Sequence, residues 1–210
     1  MKITLKKGKA DKIHISADGE YVLTVDESYL CTLGIKHNDE ISEDEFLLLQ
    51  EKISIRRAYN YCVSLLSRRD HSSKELKTKL LRKGFDEGSF AAVEKLQQQG
   101  YVNDEGFCLH YASELKNLKG YGKRRIEQEL MRKGISREII YNTLQEIEFD
   151  GERIIEIIER KYKRCFEDEK QKQRAINGLL RLGYSYSEIK DAFCRIKEDE
   201  EFSFSEVADE

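Results

Sequence analysis

Apolar residues along this chain follow two rhythms. Near the start, Lys12-Ile13-His14-Ile15-Ser16 and Tyr21-Val22-Leu23-Thr24-Val25 alternate apolar with polar positions and flank Ala17-Asp18-Gly19-Glu20. Alternation of period two marks a half-buried strand, and Asp-Gly supplies the positive φ that a tight hairpin turn requires. The pattern predicts a small β-hairpin, then a short helix near residues 28–33. A further helix is expected to begin near Ser42, where Glu45 has capping-box spacing.

From residue 58 onward the spacing is helical and repeats. Leu80-Leu81-Arg82-Lys83-Gly84-Phe85 returns as Leu130-Met131-Arg132-Lys133-Gly134-Ile135 and, more loosely, as Leu179-Leu180-Arg181-Leu182-Gly183-Tyr184, at offsets of 50 and 49 residues. Leu76, Ile126 and Ala175 stand four positions before each first leucine, so every unit carries apolar residues at i, i+4 and i+5, the spacing of one helix face. Each glycine fits the position just past a helix end, where a left-handed backbone costs other residues more. Ser72 with Glu75 and Ser185 with Glu188 have capping-box spacing, and Asp86 and Ser136 fit simple N-caps. Third helices are expected over 58–67, 104–118 and 152–166.

A three-helix unit of about 50 residues buries too little apolar surface to stand alone, so neighbours should share contacts. The expected fold is mainly α: an elongated array of three tandem three-helix repeats with a small N-terminal β-hairpin extension. Its expected parts are 1–54 for the extension, 55–102, 103–149 and 150–197 for the repeats, and 198–210 for an acidic tail taken as disordered.

Composition fits this picture. Proline is absent from the 210 residues, where ordinary usage near ~5% would supply about ten, which removes collagen-like and polyproline architectures. No apolar run approaches the ~18 residues of a membrane span, and Met1-Lys2-Ile3-Thr4-Leu5-Lys6-Lys7 lacks the apolar stretch of a secretory signal. A cytoplasmic protein is expected. Cys31, Cys62, Cys108, Cys165 and Cys194 are odd in number and never paired as C-x-x-C, which predicts reduced, mostly buried thiols. Neither the four histidines nor the cysteines have metal-ligand spacing, and no G-x-S-x-G or H-E-x-x-H is present. No catalytic residue, metal or cofactor is expected.

The net charge of -3 conceals strong zoning. Residues 56–83 hold nine bases against two acids, 116–137 eight against two and 160–181 eight against three, while 198–210 holds seven acids and no base. On a wheel of about 100° per residue, Arg125 and Arg132 fall opposite Ile126 and Leu130; Arg174 and Arg181 occupy the same positions in the third repeat, and Arg82 the second of them in the first. Arginine in a last turn complements the helix dipole, which accounts for Arg82, Arg132 and Arg181 without a partner. At a helix start, Lys123, Arg124, Arg125 and Arg174 are mildly unfavourable, and an external anion or acidic surface would offset that cost. The glycines of Lys119-Gly120-Tyr121-Gly122-Lys123 match neither phosphate-loop pattern, and a compact turn with Tyr121 packed inward is expected there instead.

Ser72-Ser73-Lys74-Glu75-Leu76-Lys77-Thr78-Lys79-Leu80-Leu81-Arg82-Lys83-Gly84-Phe85, then Gly100-Tyr101-Val102-Asn103-Asp104-Glu105, then Gly120-Tyr121-Gly122-Lys123-Arg124-Arg125-Ile126-Glu127-Gln128-Glu129-Leu130, resembles the RecX regulatory family over roughly 55–197. Departures are Asn103 for an acid, Gly106 where an arginine commonly stands, and Leu182 in place of lysine. The resemblance implies a monomeric, non-enzymatic bacterial protein that binds the RecA recombinase filament along its helical groove. It would restrain ATP hydrolysis, filament extension and strand exchange in recombinational repair and the SOS response. The expected contact residues are Arg82, Lys83, Lys123, Arg124, Arg125, Arg132, Lys133, Arg174 and Arg181, facing recombinase or DNA phosphates. Single- or double-stranded DNA alone is expected to be a weak partner; a helical module that binds DNA directly is the alternative, and an unrelated protein-interaction scaffold a third.

Overall fold

The structure, a computed structural model, describes residues 1–149 and 151–207. It divides into two compact units: Met1–Asp70 with Leu76–Val102, and His71–Glu75 with Asn103 onward.

The first unit opens with three strands, β1 (Ile3–Lys7), β2 (Lys12–Ala17) and β3 (Glu20–Asp26), in an antiparallel sheet of order β1-β2-β3. The β2–β3 hairpin forms where alternation predicts it, with Asp18 and Gly19 at φ 49° and 89° in its turn. β1 is additional: it holds only two alternating apolar residues, but Ile3 pairs with Ala17 and Lys7 with Ile13, and Ile3 is fully buried. Helix α1 (Glu27–Leu33) follows β3 directly and ends at Gly34, φ 70°.

Helix α2 (Glu43–Leu66) starts at a complete capping box of Ser42 and Glu45. Sequence places an extension before residue 55 and a separate helix from 58; instead one helix runs through both. No glycine or proline interrupts this stretch, so nothing stops the hydrogen-bond ladder. Its first half sends Phe46, Leu49 and Ile53 into the core beneath the sheet, and its second half sends Ala58 and Cys62 into the first repeat. There they meet Leu76 and Leu80 of α3 (Ser73–Arg82), and Ala92, Val93 and Leu96 of α4 (Ala91–Gln98). A 3-10 turn over Glu87–Phe90, capped by Asp86, leads into α4.

The second unit holds two more helical triplets. Helices α5 (Asp104–Asn117), α6 (Lys123–Lys133) and α7 (Arg137–Glu146) enclose Phe107, Cys108, Ile126, Leu130 and Ile140. Helices α8 (Glu152–Lys161), α9 (Glu169–Leu182) and α10 (Tyr186–Val207) enclose Ile154, Ile158, Leu179 and Ile189. A fully buried leucine such as Leu130 contributes roughly 1.5–3 kcal/mol. The helix expected over 152–166 is broken: Tyr162 leaves helical geometry, and a 3-10 turn over Lys163–Phe166 follows. At the far end, residues 198–207, expected to be disordered, continue α10 to Val207, again with no glycine or proline to stop it; 208–210 lie outside the described residues.

None of the five cysteines forms a disulfide among the described residues; Cys62, Cys108 and Cys165 are buried and Cys31 and Cys194 exposed. Burial pushes the Cys62 thiol up to about 11. Among the described residues no helix is long and apolar enough to cross a membrane, and no group of three or more His, Cys, Asp or Glu side chains is placed to hold a metal ion.

Candidate partner-binding surface

The basic residues singled out in the sequence take two different positions, and the ends of α6 show why. At its start, the Gly122 N–H donates to the Leu182 carbonyl at 2.8 Å and the Arg124 N–H to the Gly183 carbonyl at 3.3 Å. A Cβ on Gly122 would stand 2.6 Å from the Gly183 carbonyl carbon, and one on Gly183, whose φ is 95°, would overlap the Arg125 backbone. The first turn of α6 is therefore seated on the last carbonyls of α9. Those carbonyls are the negative end of a helix dipole, so they offset the cost of Lys123, Arg124 and Arg125 at a helix start. No external anion is needed for that, contrary to expectation. The glycine turn is left no phosphate cradle, because its N–H groups are taken: Gly120 and Tyr121 donate to the Lys116 and Leu115 carbonyls of α5, and Gly122 donates to Leu182 of α9.

Arg125 belongs to this junction. Its guanidinium lies 2.9 Å from Glu129 and 5.6 Å from the centroid of the Tyr121 ring, and its Nε is buried. Tyr121 packs inward against the second repeat's core, as expected for the turn.

The last turn of α6 is tied differently. The Ser72 hydroxyl donates to the Lys133 carbonyl at 2.6 Å, and Lys133 Nζ reaches Glu75 at 2.8 Å while lying 5.1 Å from the Tyr111 ring centroid. Ser73 donates from its N–H and its hydroxyl to Asp104, at 2.8 and 2.5 Å. Burial raises the Tyr111 phenol, against the lowering effect of the Lys133 charge. Lys133 thus holds the segment His71–Glu75 to α5 and α6 rather than facing outward.

Seven of the nine residues remain at the surface. Arg132 keeps 66% of its side chain exposed, against 33% for Arg125, and pairs with Glu129 at 3.2 Å. Arg82, Lys83, Lys123, Arg124, Arg174 and Arg181 are exposed and form no ion pair among the described residues. Arg82 and Lys83 sit on the first unit; the other five belong to the second.

Beside them is a feature that sequence reasoning assigned to the core. Leu81, Met131 and Leu180, the i+5 members of the repeated motif, are 47%, 40% and 40% exposed. The i and i+4 positions alone are buried, as Leu76 and Leu80, Ile126 and Leu130, Ala175 and Leu179. The signal was present in the wheel: i+5 lies about 140° from i, at the edge of the buried arc. Each repeat therefore presents an apolar side chain next to an exposed arginine. In the second repeat Met131 also lines a shallow groove of about 90 Å³ with Tyr141, between Lys123 and Arg137.

Comparison with known proteins gives these repeats a family. Three family models match in order: the first RecX three-helix domain over residues 58–93, the second over 103–144 and the third over 150–193. The chain is 33% identical over 182 residues to the regulatory protein RecX of Caldanaerobacter subterraneus subsp. tengcongensis, covering 86% of this chain and 89% of that one. It is 32% identical over 197 residues to its Bacillus velezensis namesake, covering 91% and 74%. Two solved structures share the fold at 23% identity. One, of a regulatory protein RecX, covers 90% of this chain and 97% of its own with a TM-score of 0.69. The other, RecX from Lactobacillus salivarius, covers 69% and 97% with a TM-score of 0.63. Three matched domains in sequence and these relatives establish that the chain belongs to the RecX family of regulatory proteins.

Proposed function

We propose that this protein regulates the RecA recombinase by binding its nucleoprotein filament, restraining ATP hydrolysis, filament extension and strand exchange in DNA repair and the SOS response. It acts as a monomer in the bacterial cytoplasm and performs no catalysis. The observation that carries this reading is the recurrence of one exposed pair in every repeat: Leu81 with Arg82, Met131 with Arg132, Leu180 with Arg181. Arginine and methionine are the residue types that protein interfaces enrich, and an apolar side chain gains nothing from a phosphate. A recurring apolar-basic pair suits a partner that offers an apolar recess edged by carboxylates again and again, as a filament of identical subunits does.

Purified protein added to preformed recombinase filaments on single-stranded DNA should lower ATP turnover in a saturable manner. Unchanged turnover at saturating protein would reject the reading. A direct DNA-binding module is the second reading, favoured by the six surface cations that form no ion pair among the described residues. It requires affinity for naked DNA that falls steeply with salt, by about 0.7 to 0.9 log units per tenfold salt for each phosphate neutralised.

A further inference from the structure

The first unit contains a cleft that the repeats do not explain. It opens between the β2–β3 hairpin, α2 and the end of α3, and encloses about 430 Å³. Its floor is apolar, made by Val25 and Ile53, both buried. Its walls are aromatic. Tyr61 stacks on Phe85 with centroids 6.3 Å apart and planes at 27°, and Tyr29 carries the Arg56 guanidinium 5.3 Å from its ring centroid. Tyr21 stands at the mouth, 65% exposed.

Charge at the rim is one-sided. Asp26, the one acid lining the cleft, is ion-paired with Lys12. Arg56, Arg57 and Lys83 also line it and form no ion pair among the described residues. Three cations without an ion pair among the described residues thus edge a pocket with an apolar floor; the Arg56 guanidinium covers the Tyr29 ring, so the ring faces left for a ligand are those of Tyr21 and the Tyr61–Phe85 stack. Cations meet phosphate oxygens, and aromatic faces meet the planar face of a base whatever its identity. The volume falls within the range of about 300–1,000 Å³ found for small-ligand sites. Nine of the lining residues precede residue 58, where the matched family segments begin, so the cleft is a property of this N-terminal unit.

We propose that the cleft binds a nucleotide, its phosphate on Arg56, Arg57 and Lys83 and its base against the aromatic wall, either free or as one unit of a single strand. The test uses the whole 210-residue chain without recombinase, so its result is independent of filament regulation. Fluorescein-labelled oligothymidylate is titrated by anisotropy at several salt concentrations, with ATP, inorganic phosphate and oligoglutamate as competitors. Arg56→Glu with Arg57→Glu should raise Kd at least about tenfold and reduce the salt slope by roughly 1.4, two cations at about 0.7 each on a single strand. Tyr21→Ala, at an exposed position that keeps the fold intact, should weaken binding several-fold and leave the slope unchanged. Arg160→Glu, an exposed charge outside both the cleft and the candidate partner surface, should change neither quantity. Competition by ATP assigns the site to a free nucleotide, whereas binding of the strand without ATP competition assigns it to single-stranded nucleic acid; both uphold the proposal. Four results overturn it: unchanged Kd in the folded Arg56/Arg57 variant, loss of binding with Arg160→Glu alone, inorganic phosphate competing as well as ATP, or oligoglutamate competing as well as either.

Discussion

The first and last turns of α6 are alike in sequence and unlike in the molecule. Both are basic, Lys123-Arg124-Arg125 at one end and Arg132-Lys133 at the other, and Arg125 and Arg132 share a side of the wheel. Yet Arg125 is seated against Gly183 of the next repeat, and Arg132 stands in solvent. At the far end the order reverses within two residues: Arg132 is free to meet a partner while Lys133 reaches back to Glu75. A wheel reports the direction a side chain leaves its own helix. Which directions are covered depends on where the neighbouring repeat is seated.

The largest effect that would break this contrast comes from the seat itself. Gly183→Ala adds a Cβ into the Arg125 backbone at a positive φ, and should cost about 3 kcal/mol, roughly 6–12 °C in Tm by thermal circular dichroism. Gly84→Ala repeats the positive φ with no described atom within 4 Å of the new Cβ, and should cost only about 1 kcal/mol. Equal losses at the two positions would mean that the close approach of α6 to α9 contributes nothing.

Next in size is the arginine pair. Arg125→Ala should lower stability by about 1–2 kcal/mol by removing the contact with Glu129 and Tyr121, whereas Arg132→Ala should stay within about 0.5 kcal/mol of wild type in urea unfolding. At the other end, a double-mutant cycle on Lys133→Ala and Glu75→Ala should show a coupling of about 1 kcal/mol, while zero coupling would make Lys133 a surface charge after all.

The smallest effect is invisible at neutral pH. Cys62, raised by burial from 9.0 to about 11, keeps its proton in the folded protein where the unfolded chain loses it. The folded state then binds more protons, so stability falls as pH rises from about 9 toward about 11. Cys108 is raised in the same direction by burial. Thiol titration of the native protein should find Cys31 and Cys194 reacting fast and the three buried thiols slow; five equal rates would contradict the assigned burial.

Much of the fold was legible because its signals are local. Asp18-Gly19 marks a turn, Ser42 with Glu45 and Ser185 with Glu188 mark helix starts, and Gly84, Gly134 and Gly183 mark helix ends; each works through residues a few positions apart. β1 was not legible, because two apolar residues become a strand only when β2 is there to pair with. The candidate surface was half legible. Periodicity identifies the arginines, but the exclusion of Arg125 and Lys133 rests on partners 58 residues away in sequence, as in Gly183 to Arg125 and Lys133 to Glu75. The exposure of Leu81, Met131 and Leu180 depends on how narrow the covered arc is, which spacing alone leaves undetermined.

The central claim is that the outward apolar-basic pairs carry partner binding while the covered basic residues hold the second unit together. Its most direct measurement titrates a variant carrying Met131→Ser, Arg132→Ala, Leu180→Ser and Arg181→Ala against wild type, reading ATP turnover of preformed recombinase filaments. The account predicts inhibition shifted to at least about tenfold higher protein concentration, about 1.4 kcal/mol of binding, with Tm within a few degrees of wild type. Unshifted inhibition by the folded variant would contradict it.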